Sequence, residues 1–135
     1  MPAVDLHCHL LPGVDDGADT MEESVAYARD AAARGTRRIV ATPHVELVEV
    51  VELPERVAEL RAALADAGVD LGIEVGGELK PESLPTVEAA DLQTISHGPR
   101  DARWLLYEVP FSGVDAAFLE GAAELRQRGY ALLLA

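Results

Sequence analysis

Short apolar runs of β type alternate along this chain with runs whose apolar residues recur at helical spacing. Ala3 to Leu6 reads as a first strand, followed by a loop rich in Gly, Pro and Asp from Leu11 to Asp19. Thr20 opens a helix with Glu23 three residues on, the pattern of a capping box. Val25, Ala28 and Ala32 share one face of that helix, and Gly35 marks its end. Arg38 to Thr42 reads as a second strand, closed by Pro43. Val45 to Leu53 alternates in a way that fits strand or loop. Pro54 begins a helix striped by Val57, Leu60, Leu64 and Ala67 and ended by Gly68. Leu71 to Val75 is a third strand, Pro81 to Ala90 a loop or short helix, and Leu92 to Ile95 another short strand. Trp104 to Val109 is a buried strand. Asp115 caps a helix carrying Phe118, Ala122 and Leu125, Gly129 stops it, and Tyr130 to Ala135 forms one more strand.

Strands that alternate with helices predict an α/β fold with a mainly parallel sheet. The crossovers of such folds are right-handed and bury the strands between layers. No linker or repeat divides the chain, so residues 1–135 are read as a single domain. Hydrophobic residues make up 49% and aromatics only 4%. Ala, Val and Leu therefore do most of the core filling, as suits helices on buried strands.

Charge narrows the choice of partner. The net charge is -13, from 24 acidic against 11 basic residues. Such a surface repels nucleic-acid backbones and anionic headgroups, so non-specific binding to either is not expected, and without a long apolar stretch no membrane insertion is expected. It also repels phosphorylated ligands at long range, so any phosphate chemistry needs local positive charge. Cys8 is the one cysteine. It excludes an internal disulfide and fits a reducing compartment, and the first residues carry no signal-like segment. A cytoplasmic location is the expectation.

The polar residues fall in a telling order. His7 and His9 follow the first strand, and residues two apart in an extended segment point to one side. Asp15 and Asp16 lie in the loop beyond. His44 follows the second strand, Glu78 the third, and Glu108 sits in the strand from Trp104 to Val109. Each has a bland reading. An H-x-H pair is a metal pair or two half-buried histidines; a lone His such as His44 is usually structural; Glu78 beside glycines is usually a solvated loop acid. Placement at successive strand ends is what lifts the set above those readings, because barrel chemistry sits at the C-terminal ends of strands. Imidazole with carboxylate ligands suits zinc, manganese or iron, and a bound cation removes the cost of burying a lone Glu.

Four stretches then carry a resemblance. Asp5 to Ala18 (DLHCHLLPGVDDGA), Ile39 to His44 (IVATPH), Val75 to Glu78 (VGGE) and Leu105 to Phe111 (LLYEVPF) resemble, in order, motifs of the capsule-type bacterial tyrosine phosphatases. Those are manganese-dependent enzymes of the PHP (polymerase and histidinol phosphatase) superfamily. The resemblance implies a distorted (β/α) barrel with a cluster of three metal ions. By the motif match, His7 and His9 would hold one ion, and Glu78 would bridge it to a second that Glu108 also binds. Asp16 and His44 would hold the third. It further implies divalent metal, manganese first with iron or zinc as alternatives. The implied activity is metal-dependent hydrolysis of phosphotyrosine on proteins of capsule and exopolysaccharide synthesis. A tyrosine autokinase of polysaccharide export is the implied substrate.

The family pattern continues past the strand matching Tyr130 to Ala135 with a His-Pro-Glu-Arg motif that this chain lacks. The expectation is therefore a partial barrel of PHP type, truncated after about the fifth strand, whose open strand edge invites homo-oligomers. His44 is followed by Val45 where many relatives carry a second His. Rival readings are a histidinol-phosphate-type phosphatase, a barrel nuclease or amidohydrolase, and a metal-binding remnant without turnover. A cysteine-based phosphatase is disfavoured, because Val14 stands where its phosphate loop needs an Arg. His97 reads as a loop residue or, remotely, a rescue ligand. Trp104 reads as core or cleft lining, and Arg100 and Arg103 as solvated or phosphate-facing.

Overall fold

The computed structural model describes residues 2–135. It is an α/β structure with all named strand pairs parallel. In chain order the elements are β1 (Ala3–Cys8), α1 (Met21–Ala33), β2 (Thr36–Ala41), α2 (Leu53–Asp66), β3 (Gly72–Val75), β4 (Glu78–Leu79), α3 (Ala89–Ile95), β5 (Trp104–Tyr107), α4 (Ala116–Gln127) and β6 (Ala131–Leu134). One sheet runs β1-β2-β3 and the other β4-β5-β6.

The two sheets meet at one point. Gly76 and Gly77 separate β3 from β4, and Glu78 at the start of β4 pairs in parallel with His44, just beyond β2. The Glu78 N–H donates to the Pro43 carbonyl at 2.9 Å. A Cβ at Gly76 would lie 2.5 Å from Val40 Cγ1, and one at Gly77 2.8 Å from Val45 Cγ2. Bare backbone is what lets the chain cross so close to β2.

Burial follows the periodicity. α2 buries Leu53, Val57, Leu60 and Leu64, and Ile39, Ile73, Leu105 and Tyr107 fill the sheets beneath the helices. Tyr107 stacks on Phe118 with ring centroids 4.9 Å apart, and its hydroxyl donates to the Phe118 carbonyl. The outer strand β1 is different. Val4 is 54% exposed and Leu6 is also exposed, so this strand is not buried on both faces as β2 is.

Several boundaries differ from expectation. Leu92 to Ile95 is helical, not a strand: it is the last turn of α3, nucleated upstream where the Glu88 N–H donates to the Asp91 carboxylate at 3.1 Å. A four-residue stretch with only Leu92 and Ile95 apolar is too short for periodicity to distinguish strand from helix. Val45 to Leu53 is neither strand nor plain loop but two 3-10 turns, Val45–Leu47 and Val50–Glu52, leading into α2. Pro81–Thr86 is also 3-10. At α1, Thr20 accepts from the Glu23 N–H, but the Glu23 carboxylate reaches the Asp19 N–H rather than that of Thr20. The box is thus displaced by one residue. β5 stops at Tyr107, so Glu108 lies just past the strand rather than in it.

Candidate metal centre

The C-terminal ends of β1 and β2 are tied together by Thr42. Its Oγ1 accepts from the Cys8 N–H at 2.9 Å, and its own N–H donates to the Cys8 carbonyl at 2.9 Å. That tie sets His7 and His9 beside His44. Asp5 pairs with Ile39 but Cys8 with Ala41, so β1 carries an extra residue there, a bulge of the kind that re-aims side chains. The Nε2 atoms of His7 and His9 lie 3.2 Å apart, on one side of the strand as their spacing predicts.

Glu78 is the centre of the arrangement. It is only 3% exposed, so it is not a solvated loop acid. A single oxygen, Oε2, lies 3.2 Å from His7 Nε2, 2.8 Å from His9 Nε2 and 3.6 Å from His44 Nδ1. Burial pushes the Glu78 carboxyl up, but the His9 hydrogen bond and the surrounding imidazoles outweigh it and hold it below its ordinary value. The His9 imidazole is raised to about 9, first by its hydrogen bond to Glu78; burial opposes this, and Asp15 and Asp16 add to it.

The far side of His9 faces the acidic loop. Its Nδ1 is 2.8 Å from Asp16 Oδ1 and 3.1 Å from Asp15 Oδ2. Asp16 is exposed and held below its ordinary value, first by the His9 hydrogen bond. His44 Nε2 lies 3.7 Å from Asp16 Oδ1, and Glu108 Oε2 lies 4.0 Å from His44 Nδ1. All six predicted side chains therefore border one cavity of about 410 Å³. His7, His9 and Glu78 offer donor atoms mutually within 4.8 Å, and so do His9, Asp16 and His44. His9 belongs to both groups, whereas the resemblance assigns it to one.

The residues fit a cation on independent grounds. His44 Nδ1 is buried and has no hydrogen-bond partner among the described residues. A buried ring nitrogen left unpartnered is costly, unless something not made of protein takes its lone pair. Three imidazoles and three carboxylates are also the donor chemistry of first-row divalent ions.

Sequence reasoning passed over the supports. Asp15 was noted but given no role, and its side chain is 1% exposed. Its Oδ2 accepts from the His44 N–H at 3.0 Å and its Oδ1 from the Gly17 N–H at 3.1 Å. It locks the acidic loop to the end of β2, while Oδ2 also faces His9. Gly17 is required by contact: a Cβ there would lie 1.9 Å from the His9 carbonyl oxygen. The Asp15-Asp16-Gly17 triplet was the available signal. Glu46 also borders the site, 4.0 Å from His44 Nδ1, and is paired with Lys80 Nζ at 2.6 Å. Cys8 is buried, and that burial pushes its thiol up to about 11, so it supplies no thiolate at neutral pH.

His97 and the arginines lie elsewhere. His97 pairs with Trp104 in an isolated antiparallel bridge. Arg103 donates to Ser96 Oγ and to the Gln93 and Ser96 carbonyls at the end of α3, so it is a structural clamp.

Comparison with known proteins gives a family and a fold. The model of the family described as "Capsular polysaccharide synthesis, CpsB/CapC" matches residues 3–135. Tyrosine-protein phosphatase YwqE of Bacillus subtilis is 31% identical over 136 residues, covering 98% of this chain and 53% of that protein. Tyrosine-protein phosphatase CpsB of Streptococcus pneumoniae is 30% identical over 111 residues, covering 78% of this chain and 44% of that protein. Among solved structures, one reported for YwqE and CpsB, described as unique metal-dependent tyrosine phosphatases, superposes with a TM-score of 0.78 at 28% identity. It covers 98% of this chain and 54% of the other. The chain thus spans about half the length of the relatives it matches. A match across residues 3–135, on a fold that gathers the same motif residues at its strand ends, means that the chain belongs to the CpsB/CapC family of capsular polysaccharide synthesis.

Proposed function

We propose that this chain carries the metal-binding strand ends of a PHP-type protein-tyrosine phosphatase of capsule and exopolysaccharide synthesis, built on part of a (β/α) barrel. The observation that carries the reading is the environment of Glu78: one carboxylate oxygen faced by three imidazole nitrogens, one of them the unpartnered Nδ1 of His44. The names of the relatives point the same way.

His7, His9, Asp16, His44, Glu78 and Glu108 would hold divalent ions, manganese first, with iron or zinc as alternatives. When bound, such ions supply Lewis-acid charge against the phosphoryl oxygens and make a bound water acidic. That supplies the local positive charge a chain of net charge -13 otherwise lacks here. The protein's part is placement. Thr42 and Asp15 hold the ends of β1 and β2 in register, and the buried Glu78 fixes the His9 ring by its Nε2 while Asp15 and Asp16 fix it by Nδ1. No covalent enzyme nucleophile is needed, since a tyrosyl leaving group has a pKa of about 10. The buried thiol of Cys8 offers none. The substrate would be phosphotyrosine on a protein, such as a tyrosine autokinase of polysaccharide export.

The test is release of phosphate from a phosphotyrosine peptide by the purified chain, with and without manganese. Release that requires the metal and stops with chelator is the expected result. Release indifferent to chelator would sink the metal reading. Preference for a small alcohol phosphate would favour the histidinol-phosphate type, and bound metal without release would reduce the chain to a metal-binding domain.

A further inference from the structure

The cavity that holds the six donors has one further wall, and it is a hydrocarbon ring. Phe111 lines this cavity beside His7, His9, Asp16, His44, Glu78 and Glu108. It is 105% exposed, more open than any other large apolar side chain described. The chain's other phenylalanine, Phe118, is buried in the core against Tyr107. A lone exposed apolar residue needs no explanation in general. Phe111 differs in its position: it also walls a neighbouring cavity of about 230 Å³ shared with Lys80, Pro81, Glu82, Glu108 and Pro110. The ring therefore stands on the partition between the donor cluster and an adjoining recess.

Its place on the chain is anchored from both sides. The Glu108 N–H donates to the Leu79 carbonyl at 2.7 Å, and the Gly113 N–H donates to the Pro110 carbonyl at 2.8 Å, closing a turn around Phe111. Pro110 restricts the backbone before it. The turn is thus held to β4, the strand that bears Glu78, while its aromatic side chain stays in solvent.

We infer that Phe111 is a specificity-determining residue that stacks against the aromatic ring of a substrate whose phosphoryl group lies at the donor cluster. The inference rests on the phosphatase reading above and deepens it, naming what selects an aromatic phosphoester over an aliphatic one. The cluster can take only the phosphoryl end, because its other lining side chains are all polar. The ester's organic part must leave past the rim, where Phe111 is the apolar surface on offer. Aromatic pairs prefer offset-stacked or edge-on contact, and their attraction exceeds that of plain area burial.

The test uses two non-hydrolysable ligands with the same headgroup, benzylphosphonate and propylphosphonate, titrated calorimetrically into the manganese-loaded chain. The wild type should bind the benzyl compound more tightly. Phe111→Ala should weaken that ligand roughly two- to tenfold and leave the propyl compound unchanged, while Phe111→Trp should keep the preference. Thermal melts of both variants should match the wild type, because the side chain makes no core contact. If Phe111→Ala weakens both ligands equally, or neither, the stacking role is wrong and the phosphatase reading stands. If neither ligand binds the loaded wild type, both readings fall together.

Discussion

Two histidines in this molecule share a property and differ in everything around it. His44 Nδ1 and His97 Nε2 are both buried ring nitrogens without a hydrogen-bond partner among the described residues. His44 has Glu78 at 3.6 Å, with Glu46 and Glu108 each at 4.0 Å. His97 packs against Trp104 with ring centroids 4.9 Å apart and belongs to no group of metal-type donors among the described residues. Burial lowers the pKa of His97, with Glu74 opposing and Arg103 assisting. Burial and a missing partner at a ring nitrogen therefore do not by themselves mark a cation site. Carboxylates gathered around it are what make a place for a cation, because their mutual repulsion needs positive charge and a nearby imidazole can share in supplying it.

The comparison breaks first at Glu78. Replacing Glu78 with Gln keeps the shape but removes the charge that three imidazoles face. Metal affinity should fall about 100-fold or more, beyond what losing a supporting residue costs. His97→Gln should leave metal content unchanged. Metal analysis of the two dialysed variants decides this; equal metal loss in both would erase the distinction between the two histidines.

Glycines beside each region sharpen it. A Cβ on Gly17 would strike the His9 carbonyl at 1.9 Å, and one on Gly98 the Ala102 carbonyl at 2.6 Å. Each Ala substitution should cost about 2 kcal/mol of stability, as overpacking does. Gly17→Ala should also lose metal, since it pushes the Asp15–Asp16 loop off His9, and Gly98→Ala should not. Melting temperature measured beside metal content separates the two effects.

The smallest effect is in pH. In the metal-free chain the folded pKa of His9 is raised from 6.5 to about 9. Its contribution to stability is then full below pH 6.5 and lost as pH rises through about 9. His97 is lowered from 6.5, so its contribution is present above that value and lost as pH falls. In chelator-treated protein, His9→Gln should flatten the alkaline limb of the stability profile and His97→Gln the acid limb. Two variants that flatten the same limb would contradict the opposite environments seen here.

Much of the fold was legible because helices and caps are local. Val57, Leu60 and Leu64 report their own spacing, and Asp115 caps α4 as expected, accepting from the Phe118 N–H at 2.8 Å. Leu92 to Ile95 misled because two apolar residues around Gln93 and Thr94 make too short a segment for periodicity to decide, and the deciding contact lies upstream at Glu88 and Asp91. The six donors could be named because motif order marks strand ends. Asp15, Thr42 and Gly17 escaped because the partners that give them their roles, His44, Cys8 and His9, come near only after folding.

The chain's own order of residues determined the alternation of strands and helices, the acidic surface and the kinds of donor available, because these depend on neighbours a few positions apart. Only the tertiary structure decided that His9 and Glu78, 69 positions apart, meet at 2.8 Å. It alone decided that Glu78 is buried and that Phe111 is left bare on the cavity rim. Convergence of that kind is set by how the glycine-thin crossing brings β4 against the residues just past β2, with β5 paired beside it, and no local preference records it.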